Sequence, residues 1–164
     1  MADALGEFSR REGFVEARLM RRLDVAPEAL WRTLTEPPSL ALWLAPGGFE
    51  PRVGGRARFD FADSGTVIDS AVAAWDTGRV VGFSWSQPGE PDRPVRWEIA
   101  AEGAGSRLTL LIATPDGEDP ARACAGWEAH LAMLTAALAG AAIAFPFEVF
   151  KAAREAYRGK TADL

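Results

Sequence analysis

Cysteine pairs, histidine clusters, an excess of positive charge and a long apolar run are all missing from this chain, and each absence closes a class of function. Among 164 residues there is one cysteine, Cys124, so neither an intramolecular disulfide nor a multi-cysteine zinc site can form. There is one histidine, His130, and scattered acids around a single imidazole offer no metal-ligand cluster. Lys and Arg number 18 against 23 Asp and Glu, a formal charge of −5. A generic affinity for nucleic acid or anionic membrane rests on clustered cations, and the run Arg18, Arg21, Arg22 is too short to reverse the balance. The longest apolar stretch, Ala136 to Phe147, is too short and interrupted to span a bilayer, and the first dozen residues lack the apolar core of a secretion signal. The expectation is a cytoplasmic protein with no nucleic-acid partner and no membrane insertion. Gly54-Gly55 and Gly103-Ala104-Gly105 lack the lysine and spacing of a phosphate loop and read as hairpin turns, so no cofactor is expected.

What is abundant is apolar and aromatic. Hydrophobic residues make up 48% of the chain and six are Trp, enough to fill the core of one domain of this length. The stretch Asp119 to Ala139 is the best-marked element. Asp119 suits an N-cap, Pro120 suits the first helical turn, and Gly140 falls where a left-handed C-terminal cap belongs. Cys124, Trp127, Leu131, Leu134 and Leu138 recur at three-and-four spacing and so share one face that needs a broad apolar surface to lie on. The back of this helix (Ala125, Ala129, Ala132, Ala136) carries little charge, which predicts cover by the C-terminal segment or by a second subunit.

Residues 1–11 are polar and unpatterned and are expected to fray. Gly13 to Val25 alternates as a first strand. Pro27 opens a short helix that Pro37 and Pro38 end, and a second short helix follows over Ser39 to Ala45. Period-two patterning then dominates: Ala57 to Phe61, Thr66 to Trp75, Val81 to Trp85, Val95 to Ile99 and Arg107 to Thr114 read as strands joined by short turns, the pattern of an antiparallel meander. After Gly140 a further helix is expected around Pro146 to Arg158.

Several phrases in this order carry a family resemblance: Ala26-Pro27-Glu28-Ala29-Leu30-Trp31, Leu34-Thr35-Glu36-Pro37, Trp43-Leu44-Ala45-Pro46, Val53-Gly54-Gly55, Phe83-Ser84-Trp85-Ser86, Ser106-Arg107-Leu108-Thr109-Leu110 and Gly126-Trp127-Glu128-Ala129-His130-Leu131. Together they resemble the START-like or SRPBCC (helix-grip, birch-pollen-allergen-like) superfamily, and within it the family similar to the activator of the Hsp chaperone ATPase. The resemblance implies an α+β helix-grip fold. In it a curved antiparallel sheet of about six or seven strands wraps a long C-terminal helix, with two short helices after the first strand and an apolar cavity between sheet and helix. It implies a START-like ligand-binding domain over 12–140, with 141–164 as a helical extension packing on the long helix or a partner. Members of the superfamily bind lipids, sterols, polyketides and other hydrophobic molecules, and some are cyclases or other enzymes. The eukaryotic activator's chaperone-binding N-terminal domain has no counterpart in these residues, and a family position that is often histidine is Ile112 here.

The candidate ligand-binding residues are Trp43, Phe59, Phe61, Phe83, Trp85, Trp97, Trp127, His130, Leu131 and Leu134, taken as the lining of that cavity. The same rings equally suit a filled core, since each stabilises by about 2–3 kcal/mol when buried. His130 flanks the apolar stripe, where it serves either as a proton carrier at the cavity mouth or as a helical histidine satisfied by a neighbour. Of the strand carboxylates, alternation sends Asp60 and Glu98 to solvent and leaves Asp69 ambiguous. The function expected is binding of a small hydrophobic molecule of lipid, polyketide or aromatic type, with no catalytic residue and no metal assigned. The alternatives are a cyclase- or hydrolase-type enzyme using His130 or Asp69, and a chaperone-associated interaction module, monomeric or homodimeric, with a filled interior.

Overall fold

The structure is a computed structural model that describes residues 5–164. Chain order is β1 (Glu7–Arg11), β2 (Phe14–Leu23), α1 (Pro27–Thr35), α2 (Pro37–Trp43), β3 (Gly47–Phe49), β4 (Arg56–Phe61), β5 (Thr66–Asp76), β6 (Val80–Ser84), β7 (Pro94–Glu102), β8 (Gly105–Pro115), α3 (Pro120–Leu138) and α4 (Phe147–Thr161). All neighbours in the sheet are antiparallel, in the order β1-β2-β8-β7-β6-β5-β4-β3. This is the helix-grip arrangement that the sequence implied, with eight strands rather than six or seven.

The two extra strands lie at the sheet edges. Residues Glu7–Arg11 were expected to fray, yet they pair with β2 from Glu7↔Arg18 to Arg11↔Phe14. Their anchor is Phe8, whose ring stands 5.6 Å from that of Tyr157 in an edge-to-face contact. Residues 1–4 of the segment expected to fray lie outside the described residues. At the other edge β3 has three residues, two of them glycine. Gly47 has φ 147°, and a Cβ there would meet the Arg58 carbonyl oxygen at 2.0 Å, so only glycine lets the chain lie this close to β4.

Alternation places Val15, Ala17 and Leu19 of β2, Leu108, Leu110 and Ile112 of β8, Val95, Trp97 and Ile99 of β7, Val81 and Phe83 of β6 and Ala57 and Phe59 of β4 on the inner face, all buried. Strand β5 breaks the pattern through a register shift between Val72 and Ala74, which turns Trp75 back toward the core.

Helix α3 lies on the inner face through Cys124, Trp127, Leu131 and Leu134, all buried. Both ends close as their residues dictate. Asp119 Oδ1 accepts from the backbone of Ala121 (3.0 Å) and Arg122 (3.3 Å). At the far end Gly140, with φ 84°, lets its N–H reach the Ala137 carbonyl (3.0 Å) and that of Ala141 reach Ala136 (2.9 Å). Helix α4 packs along α3, and Ala125 and Ala129 are fully buried. The alanine face that pointed to a covering segment or a second subunit is therefore met by the chain's own C-terminal helix.

Candidate functional site

The ten expected site residues do come together, because strand parity and the helical stripe aim them at the same space. Trp43 at the end of α2 stands 5.3 Å from Trp97 of β7, and Phe83 of β6 lies 5.4 Å from Trp97 and 5.8 Å from Phe59 of β4. Trp127 of α3 joins the row 6.1 Å from Trp97 and 4.8 Å from Trp85, which in turn lies 5.6 Å from Phe61. His130 closes it, 5.9 Å from both Phe61 and Trp127. Leu131 and Leu134 are buried in the same cluster. The angles between ring planes run from 46° to 85°, the tilted and edge-to-face contacts that quadrupoles favour.

The row has a depth gradient. Trp43, Phe59, Phe83 and Trp97 are each at most 1% exposed, Trp127 is 4% and His130 9%, and Phe61 and Trp85 are half-buried. One end is therefore interior and the other reaches the surface between β4, β6 and α3.

Three further rings belong to the row. Phe49 of β3 touches Phe59, Phe83, Trp75 and Trp97 at 5.2–5.9 Å. Trp75 also meets Trp31 of α1 at 5.2 Å. Phe145, in the segment between α3 and α4, lies 5.5 Å from His130 and covers the surface end. Parity could not find Trp75 across a bulge, and Phe49 and Phe145 sit in stretches too short or too irregular to carry a period.

These rings meet one another, so the expected hollow between sheet and helix is occupied by side chains. Two concavities lie elsewhere. One is lined by Arg22, Leu23, Asp24 and residues 102–106, the other by Gly48, Phe49, Glu50, Arg56 and Arg58. Neither includes any of the ten residues.

His130 is held as a structural imidazole. Its Nδ1 lies 3.0 Å from the Trp43 carbonyl oxygen, which can only accept, so Nδ1 carries the proton. Burial lowers its pKa, against the weaker opposing pull of that carbonyl, and the ring is neutral at pH 7. Asp69, the other group on which an enzymatic reading would rest, is on the outer face. Both its oxygens bind Arg56, at 2.8 and 2.7 Å, and that hydrogen-bonded guanidinium holds its carboxyl below the ordinary range. Glu98 pairs with Arg96 at 2.9 Å. Neither carboxylate is placed to work with His130. Among the described residues no three His, Cys, Asp or Glu side chains gather where they could hold a metal, and no helix is long and apolar enough to cross a membrane.

On the α4 side of α3 lies a second buried cluster, this one ionic. Arg21 falls in the inward register of β2 between Leu19 and Leu23, not on a basic surface run, and it pairs with Glu128. The Tyr157 hydroxyl donates to Glu128 at 2.5 Å and accepts from the Gly6 N–H at 2.9 Å. The alternation Val15, Ala17, Leu19, Leu23 already marks Arg21 as inward.

Comparison with known proteins sets this geometry in a family. The fold is that of CalU16 from Micromonospora echinospora, at TM-score 0.77 and 21% identity over 94% of this chain and 95% of that one. A conserved protein of unknown function from Enterococcus faecalis, EF2215, superposes at TM-score 0.74 and 19% identity over 94% and 91%. DynU16, described as a putative protein in the dynemicin biosynthetic locus, matches at TM-score 0.63 and 25% identity over 73% of this chain and 45% of that one. No curated protein matches. The family model described as activator of Hsp90 ATPase homolog 1-like protein matches residues 24–139, and the chain belongs to that family.

Proposed function

We propose that the protein binds a small hydrophobic molecule between its curved sheet and α3, the guest entering by displacing rings at the surface end of the aromatic row. The observation that carries this reading is the row itself, continuous from Trp97 in the interior to the half-buried Phe61, Trp85 and Phe145. A guest with a flat face replaces the ring-to-ring contacts it breaks by contacts of the same kind, and its own buried apolar surface offsets that of the rings it moves outward. DynU16, tied by its description to a biosynthetic locus, supports a small-molecule context. No turnover is proposed, because His130 is neutral and engaged and Asp69 lies on the outer face. Native mass spectrometry of freshly purified protein tests the reading. A bound organic compound at 1:1 stoichiometry that is released on denaturation supports it, and protein that stays bare when offered 9-fluorenone at saturating concentration counts against it.

A second reading has its own observation. Phe147 is 64% exposed, with Ile143 and Val149 also exposed beside it in sequence. An apolar surface of this kind, together with a filled interior, suits an interaction module of the chaperone-associated type. It predicts the opposite result, a bare interior with solution contacts confined to Ile143, Phe147 and Val149.

A further inference from the structure

The indole N–H of Trp97 is buried without a hydrogen-bond acceptor. Its residue is 1% exposed, and its ring is surrounded by those of Trp43, Phe49, Phe83 and Trp127 at 5.3 to 6.1 Å. The fold satisfies other Trp N–H groups: Trp43 donates to the Thr33 carbonyl at 2.8 Å and Trp75 to the Thr77 hydroxyl at 3.1 Å. The other two buried side-chain polar atoms without a hydrogen-bond partner among the described residues belong to Glu102 and Arg154, both in ion pairs. Trp97 is thus the exception inside the core. An unpartnered buried donor forgoes a hydrogen bond, and the π faces around it are weaker acceptors than an oxygen lone pair.

Resting on the proposed binding function, we infer that the Trp97 N–H recognises an acceptor atom on the guest, and that the ligand class is therefore a flat aromatic ketone or quinone. The chemistry of the surroundings favours a carbonyl over a hydroxyl. A carbonyl only accepts, which is what Trp97 lacks. A phenol or alcohol also brings a proton, and none of the four rings around Trp97 has a free lone pair to take it, since Trp43 is a donor already engaged and the acceptor Nε2 of His130 stands one ring further out, beyond Trp127. Trp97 is then a specificity-determining residue, and Phe83 and Trp127 supply the faces between which the guest's rings lie.

The test compares 9-fluorenone with fluorene, the same tricyclic shape with and without the carbonyl, by calorimetry on the full chain. Fluorenone is expected to bind about 5-fold more tightly, and Trp97→Phe, which keeps an aromatic ring but removes the N–H, is expected to abolish the difference while both probes still bind. Should Trp97→Phe fail to fold, the wild type decides: the Trp97 indole N–H proton shifts downfield with fluorenone and stays in place with fluorene. Equal affinity for the two probes, or a fluorenone preference that survives in Trp97→Phe, overturns the inference and leaves the binding function standing. Binding of neither probe overturns the binding function and this inference with it.

Discussion

Tyr157 of α4 and Glu128 of α3 are joined by a buried hydrogen bond, and this pair, with Arg21 on the other side of the carboxylate, fastens the C-terminal helix across the back of the grip. Tyr157 is fully buried, and its hydroxyl links three parts of the chain that are far apart in sequence: Gly6, Glu128 and α4 itself. The first prediction follows from what each substitution strands. Tyr157→Phe leaves the Gly6 N–H and one Glu128 oxygen without this partner and should cost about 1–3 kcal/mol in urea unfolding. Glu128→Gln removes the charge against which Arg21 is buried and should cost more, about 3–5 kcal/mol. A Glu128→Gln cost no larger than that of Tyr157→Phe would show that the ion pair contributes little.

His130 sets a pH dependence whose sign can be worked out. Burial holds its folded pKa below the ordinary 6.5, so the unfolded chain takes up the proton first as pH falls. The folded state therefore keeps its full stability above about pH 6.5 and loses up to about 1.4 kcal/mol per pH unit below it, until the folded pKa is reached. His130→Asn, whose amide can replace the donation to the Trp43 carbonyl, should unfold with a flatter profile between pH 7.5 and 5.5. Parallel profiles for the two proteins would contradict this assignment.

Cys124 should be inert in the folded protein. Its thiol is fully buried, and burial, with a smaller contribution from Asp119, pushes its pKa up to about 12. Iodoacetamide at pH 8 is expected to leave the native protein unmodified over hours and to label it in minutes in 6 M guanidinium. Rapid native labelling would mean that the packing around α3 opens readily.

Phe145 is the ring nearest to a door. Being half-buried, it contributes less to the core than Phe83 or Phe59, yet it covers the end of the row at His130. Phe145→Ala is expected to raise the association rate of 9-fluorenone several-fold in stopped-flow tryptophan fluorescence with a stability loss of about 1 kcal/mol or less. Phe83→Ala should instead destabilise by about 3–5 kcal/mol. An unchanged association rate in Phe145→Ala would place the entry route elsewhere.

Much of this geometry was legible in the residues. Alternation placed the rings of β4, β6 and β7, and the three-and-four stripe placed Trp127, Leu131 and Leu134 against them. The caps of α3 at Asp119 and Gly140 were readable because each rests on a local hydrogen-bond rule. What escaped was non-local. Phe8 makes β1 a strand only because Tyr157, some 150 positions away, returns to meet it. Trp75 changed faces at a bulge that its own strand does not announce. Whether a set of inward aromatics leaves a hollow or fills it depends on side-chain volumes meeting in three dimensions, which periodicity does not encode.

The account turns on whether a guest enters between the sheet and α3. The most direct measurement is the set of intermolecular nuclear Overhauser contacts between 9-fluorenone and the isotopically labelled protein. Cross-peaks from the probe to the ring protons of Trp127, Trp85 and Phe83 are the predicted result. Cross-peaks confined to Ile143, Phe147 and Val149 would contradict it and assign the apolar chemistry of this protein to its surface.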